Sequence, residues 1–263
     1  MGVILLVYKF IVFFLKLPFS LFIIILSSVH FIISKLIPFL WIKRIFIRIS
    51  STICFKLMII VCGNVNTDLF SISNGFTEKC SDSVDSGDII LGNCDSFINL
   101  LVMQYNYSPL YVVNGEKGKV YLKTFHGLLF ERVFRLKPSV KNLISFEKAL
   151  NYAKESHSPL VVYPSSSGNW NNEYLIDAPV SRFFFFHFYS NDNIHSLSFA
   201  KTSLVYQVYC CLSVLTREYI IFTLPLKETP NFDNKSFNEV CTATFQDLQL
   251  REYAWKATPQ DYD

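Results

Sequence analysis

Gly92-Asn93-Cys94-Asp95-Ser96-Phe97-Ile98-Asn99 sets a thiol, a carboxyl, a hydroxyl and two carboxamides in one short stretch. Tyr163-Pro164-Ser165-Ser166-Ser167-Gly168-Asn169 sets three hydroxyls behind a proline. Each stretch follows a short apolar run, Asp88 to Leu91 in one case and Leu160 to Tyr163 in the other. In an α/β sheet covered by helices, ligands bind at strand ends, so these two loops are where a site is expected. A cysteine at the start of a helix is drawn towards the thiolate by the helix dipole, and a thiolate attacks carbon. Taken singly, neither loop specifies a reaction. Asn, Asp and Ser ahead of a helix serve as an N-cap, and Ser-Ser-Ser-Gly makes an ordinary turn.

The elements that must hold these loops alternate in type. Ser96 to Gln104 puts Phe97, Leu100, Leu101 and Gln104 at helical spacing, and Leu110 to Val113 is rich in strand formers. Val140 to Ser156 is an amphipathic helix with Leu143, Phe146, Leu150 and Ala153 on one face. Strands follow at Leu160 to Tyr163, stopped by Pro164, at Phe183 to Phe188, and at Tyr219 to Leu224, stopped by Pro225. Ser203 to Leu215 reads as an apolar helix or strand, and Asn238 to Tyr253 as a last helix. Strand–helix–strand alternation predicts an α/β domain with a mostly covered sheet. The expected division is a membrane-embedded or interfacial segment over 1–62, a polar linker over 63–87, the α/β domain over 88–230, and a helix and tail over 231–263.

The first 67 residues contain no acid and seven bases: Lys9, Lys16, Lys35, Lys43, Arg44, Arg48 and Lys56. Nearly all else there is Phe, Ile, Leu or Val, which is the composition of a chain in or on a bilayer. The rest of the chain holds 17 basic and 21 acidic residues, about −4 net, so the charge shift marks a boundary. Lys16 and Lys35 bracket the uncharged run from Leu17 to Ser34, which is borderline for a spanning helix. Bases flank it on both sides and both flanks prefer the cytosol. A re-entrant hairpin bent near Ser27-Ser28, helices lying in the interface, and a single span all remain open.

Seven cysteines with no CxxC and no histidine pair at zinc spacing point to a reduced, cytosol-facing domain and to no metal site. There is no Lys-rich or Arg/Gly-rich tract to track phosphates, so nucleic acid is not an expected partner. His157 reads as a surface residue, His187 among its phenylalanines as a core one, and His195 as exposed.

In this order, behind a basic apolar amino terminus, the two loops resemble signatures of the glycerolipid, or lysophosphatidic acid, acyltransferase family. Asn93 to Asn99 overlays the family's Asn-His-x-x-x-x-Asp, with Cys94 at the histidine position and Asn99 at the aspartate position. Gly127-Leu128-Leu129-Phe130-Glu131-Arg132 resembles its Gly, Phe and Arg block, one residue short. Tyr163 to Ser167 stands where Phe-Pro-Glu-Gly-Thr is found, without the Glu and Gly. Phe222-Thr223-Leu224-Pro225 matches a strand ending in proline. The resemblance spans about 85–230 and is nearest the divergent fungal branch linked to lipid droplets, which also has Asn-Cys.

The resemblance implies a covered sheet of the glycerol-3-phosphate acyltransferase type, no bound cofactor, and acyl-CoA as co-substrate. It implies a lysophospholipid acceptor in a membrane of the endoplasmic reticulum or lipid droplet, with the domain facing the cytosol. Cys94, Asp95, Asn99 and His126 become the catalytic candidates. Gly127, Phe130, Arg132, Ser165, Ser166, Ser167 and Pro225 become the substrate-binding ones, with Arg135 a second candidate for phosphate. In the family a histidine removes the hydroxyl proton and an aspartate orients it. With Cys94 and Asn99 in those places two outcomes are open. Either Cys94 carries the acyl group as a thioester and His126 serves as base, or the chain has lost the chemistry and binds lipid or partners at the membrane.

Overall fold

The computed structural model describes residues 2–73, 76–79, 84–92, 96–113, 133–135, 142–155, 157–162, 183–192, 202–226 and 234–257. Two long helices open the chain, α1 over Gly2–Leu36 and α2 over Leu40–Val61. Helix α1 runs unbroken through Pro18 and through Ser27-Ser28, the bend point in one of the three arrangements that the sequence left open. Both serine hydroxyls donate back to the carbonyl of Ile24, at 2.9 and 2.8 Å, so they are satisfied inside the helix. The reversal comes at Ile37-Pro38-Phe39 instead, because a proline disfavours helical backbone in the residue before it. The helices then pack on each other, with the His30 and Phe46 rings 5.7 Å apart.

The sheet has strands β1 (Asn64–Ser73), β2 (Phe76–Lys79), β3 (Ile89–Gly92), β4 (Leu110–Val113), β5 (Val133–Arg135), β6 (Leu160–Val162), β7 (Phe183–Ser190) and β8 (Arg217–Leu226). Their spatial order is β2-β1-β8-β7-β3-β6-β4-β5. The block β7-β3-β6-β4-β5 is parallel throughout, and β8 turns antiparallel to β7. The remaining helices are α3 (Phe97–Tyr107), α4 (Asn142–Glu155), α5 (Leu204–Leu212) and α6 (Asn234–Ala257). Residues 63–87, whose polar composition reads as a linker followed by a ragged strand, hold β1 and β2, and β1 pairs in parallel with β8. Their polar side chains gave no alternation to read. Strand β8 also runs on through Pro225 to Leu226. Its pairing with β1 runs to Thr223, so beyond that residue the missing N–H of Pro225 costs little.

Ile89, Ile90, Leu91, Leu160, Val161 and Val162 are fully buried, as strands covered on both faces require. One face joins Ile90, Tyr111, Val161, Phe184, Phe186 and Phe188 to residues of α2, α3 and α5, including Cys54, Phe55, Met58 and Ile59. The second half of α2 is therefore part of the sheet's own core. Phe185 points the other way and meets Phe245 of α6 at 5.4 Å. The crossovers β3–α3–β4 and β5–α4–β6 run in opposite directions along the sheet, so right-handedness puts α4 on the face opposite α3. Leu150 and Ala153 of α4 are buried there as the helical spacing predicted.

Cys241 of α6 is buried on that second face, and burial pushes its thiol up to about 12. Unfolded, the thiol ionises near 8.5, so above about that pH the unfolded state sheds a proton the folded state keeps. Stability from this site is complete below about pH 8.5 and is lost as pH rises towards 12, by up to about 1.4 kcal/mol per unit. Urea midpoints of the protein should fall more steeply between about pH 8 and 10.5 than those of Cys241→Ala. Parallel slopes would show that the thiol is not insulated.

The hairpin meets the sheet at a dense polar junction. Arg217, at the start of β8, donates its main-chain N–H to Gly63 O at 2.7 Å and its Nη1 to Cys62 O at 2.8 Å. Its Nε and Nη2 bind Asp192 at 2.9 and 2.8 Å, and Nη2 reaches Cys210 O at 3.2 Å. Lys16 of α1 donates to the carbonyls of Val214 and Leu215 at 2.6 and 3.3 Å. Gly63 sits at φ +86, and a Cβ there would lie 2.8 Å from Leu215 O, so only glycine lets the two segments approach.

Candidate active site

The two loops singled out by their residue types leave adjacent strands. Strand β3 ends at Gly92 and β6 at Val162, and the two are parallel neighbours with Ile90 opposite Val161 and Leu91 opposite Val162. Gly92 and Val162, which precede residues 93–95 and 163–167 in the chain, thus lie side by side at the carboxyl edge of the sheet, the edge where ligands bind in such folds. On the far side of β6, Val113 ends β4 opposite Arg135, the last residue of β5. The backbone of Arg135 is therefore level with that same edge, three strands or roughly 14 Å from β3 at about 4.8 Å per strand.

Strands β7 and β8 rise beyond this edge. Gly92 is opposite Phe186, and β7 continues to Ser190, so the pair stands roughly 13 Å proud at about 3.3 Å per residue. His187 lies in this extension, buried as the sequence suggested. His157 is exposed in the turn after α4, also as expected.

Helix α3 starts directly behind the first loop, and its first turn is tied down by distant parts of the chain. Ser96 is the N-cap: its hydroxyl accepts from the Asn99 N–H at 3.3 Å. This corrects the expectation that Asp95 would cap the helix, since Ser96 stands one residue closer and has the extended backbone of a cap. Gln207 of α5 reaches in and its Oε1 accepts from the Phe97 N–H at 2.7 Å, while its Nε2 donates to Thr202 Oγ1 at 2.9 Å. The Tyr219 hydroxyl, from β8, donates to Asn99 Oδ1. The Tyr111 hydroxyl donates to Leu100 O at 3.3 Å.

Asn99, the expected partner of the catalytic group, is fully buried, uncharged at any pH, and engaged with Tyr219. Gln207 and Tyr219 were not anticipated from sequence, because they lie 110 and 120 positions from their partners and no local spacing signals such a contact. Gln207→Ala removes the acceptor of a buried N–H and should cost about 1–3 kcal/mol, read as a drop in the urea midpoint at unchanged slope.

Pro225 pairs with Phe184 and so is level with Ile90, on the stretch of β8 that runs away from this edge. Cys94, Asp95, His126, Gly127, Phe130, Arg132, Ser165, Ser166 and Ser167 lie outside the described residues.

Among solved structures, the crystal structure of the 1-acyl-sn-glycerophosphate (LPA) acyltransferase PlsC from Thermotoga maritima matches with a TM-score of 0.52. The match covers 94% of this chain and 97% of that one, at 11% identity. The chain has the fold of that acyltransferase. The small uncovered share is far shorter than α1 and α2 together, so the helical hairpin belongs largely to the matched fold. No family model and no curated protein matches the sequence. At this identity the likeness extends to the architecture and says nothing of individual side chains.

Proposed function

We propose that the protein transfers an acyl chain from acyl-CoA to the free hydroxyl of a lysophospholipid of the lysophosphatidic acid type, at the cytosolic face of the endoplasmic reticulum or a lipid droplet. One observation carries this reading. The loops with the acyltransferase-like residues leave neighbouring parallel strands at one edge of a sheet whose fold is matched by a solved acyltransferase over nearly its full length.

In this reading the Cys94 thiolate attacks the thioester carbonyl of acyl-CoA and the CoA thiolate departs, leaving the acyl group on Cys94. The lysolipid hydroxyl then attacks that carbonyl, its proton passes to His126, and the Cys94 thiolate is released. Asp95 is the nearest carboxylate to the reacting thiol in sequence. Arg132 or Arg135 holds the phosphate, and Gly127, Phe130 and Ser165 to Ser167 line the acceptor. The hairpin supplies the membrane. By length and composition α1 can cross one, and its lysines suit a headgroup layer.

A second reading has its own support. Asn99 cannot act as a carboxylate and its Oδ1 already accepts from Tyr219, which suits a catalytically inactive relative that binds lipid or scaffolds partners. Microsomes with and without the full chain, given labelled acyl-CoA and lysophosphatidic acid, separate the two. Labelled phosphatidic acid above the level of the control is expected, and equal label would leave the binding role.

A further inference from the structure

Helix α5 has two unlike sides. Its inner side carries Gln207, Cys211 and Leu212, all buried. Its outer side and the turn after it expose Val205 at 79%, Tyr206 at 52% and Leu215 at 54%. Such a group of large apolar side chains on an α/β domain needs an occupant.

What lies beside it is the first half of α1. The Phe13 and Tyr209 rings are 5.2 Å apart, and Lys16 is bound to the carbonyls of Val214 and Leu215. Those contacts fix the end of α5 and the turn after it against residues 13–16 of α1. The first half of α1 is itself apolar and open: Ile4, Leu6, Phe10, Ile11, Phe14 and Leu15 are each more than half exposed. Whatever medium surrounds them also reaches α5. The bases Lys9 and Lys16 stand in this region, and the first 67 residues hold no acid, which favours an anionic surface over a protein partner. Tyr206 adds a side chain with an apolar ring and a polar tip, the type found at headgroup level. Length points the same way. Helix α1 is 35 residues, about 52 Å, whereas a hydrocarbon core is about 30 Å thick, so part of it is surplus to any crossing.

We propose that the α/β domain docks on its membrane through α5, with Val205, Tyr206 and Leu215 set into the boundary between headgroups and acyl chains alongside the first half of α1. This rests on the hairpin being membrane-embedded, and it adds a third element that touches lipid. The same helix holds the first turn of α3 through Gln207, so the candidate site would lie a fixed distance from the lipid surface.

A photoreactive benzophenone amino acid placed in the full chain tests this on vesicles of phosphatidylcholine with a minor fraction of phosphatidic acid, the lipid chains tagged for detection. Positions 205 and 215 probe α5 and position 32 probes the hairpin. Positions 152 and 250 are controls, because Tyr152 and Leu250 are exposed on helices α4 and α6 of the opposite face. Lipid adducts at 205 and 215 about ten-fold or more above those at 152 and 250 are expected for groups at the acyl boundary. V205E/Y206E, a change confined to exposed positions, should lower the adduct at 215. Adducts at 32 with only control levels at 205 and 215 would overturn docking through α5 while leaving the hairpin in the membrane. Control levels at 32, 205 and 215 together would overturn both. Equal adducts at 205 and 250 would overturn it as well.

Discussion

Cys94→Ala is expected to lower acyl transfer by at least about 100-fold, and Cys94→Ser to do nearly as much. The argument is one of acidity. In the proposed mechanism a thiol two residues ahead of the N-cap Ser96 is drawn towards thiolate at neutral pH by the positive end of α3. A serine hydroxyl there stays protonated at neutral pH and is a far weaker nucleophile than a thiolate. With alanine the acyl group has no protein acceptor, and the lysolipid hydroxyl must attack acyl-CoA unaided. The covalent step leaves a second trace independent of turnover. Labelled acyl-CoA without lysolipid should leave label on the protein that neutral hydroxylamine releases, and both variants should leave none. Unchanged transfer in both variants would remove Cys94 from the mechanism. Label without transfer in the unaltered protein would mean that the thioester forms but the acceptor step has been lost.

The sequence was informative where burial imposes a pattern. The parallel strands are short apolar runs, Ile89 to Leu91 and Leu160 to Val162, because both of their faces are covered. Helix α4 showed its apolar stripe because one side faces solvent. The same reasoning failed where polar residues build the sheet. Strand β1, with Asn64, Asn66, Thr67, Asp68, Ser71 and Ser73, looks like a linker, yet it completes the sheet by pairing with β8 across more than 150 residues. Of the three arrangements left open for the N-terminal segment, the one bent near Ser27-Ser28 fails for a related reason. Ser27 and Ser28 look like breakers in a hydrophobic run, but within a helix their hydroxyls can bond Ile24 O and leave the helix intact.

The candidate site was legible as loops and not as a surface. That Gly92 and Val162 end neighbouring strands is a matter of sheet order, and the chain visits β4 and β5 between them. Nor could local spacing show that Gln207 and Tyr219 anchor the start of α3. Those contacts change the chemical reading of Asn99. From the motif it is a lost carboxylate, whereas in the fold it is a buried amide whose oxygen accepts a hydrogen bond that helps set the helix following Cys94 in the sequence.

Asp192→Ala is expected to destabilise the protein by about 3 kcal/mol, more than Arg217→Met does. The two changes break the same ion pair but leave different remnants. The Arg217 side chain is fully buried while Asp192 is 26% exposed. Removing the aspartate strands a guanidinium in the interior, where among the described residues the carbonyls of Cys62 and Cys210 remain to hold it. Removing the arginine leaves a carboxylate that water can reach, and a methionine that fills most of the space. The loss then comes from two carbonyls deprived of their donors, about 2 kcal/mol in all. Because the junction joins the last turn of α2 to β8, the damage should be local before it is global. Amide exchange in the last turns of α2 should accelerate in Asp192→Ala at denaturant levels that leave α4 protected. A larger loss in Arg217→Met, measured by urea midpoints at unchanged slope, would mean that the carbonyl contacts and not the buried charge dominate the junction. The hairpin would then be held on the sheet mainly by main-chain hydrogen bonds.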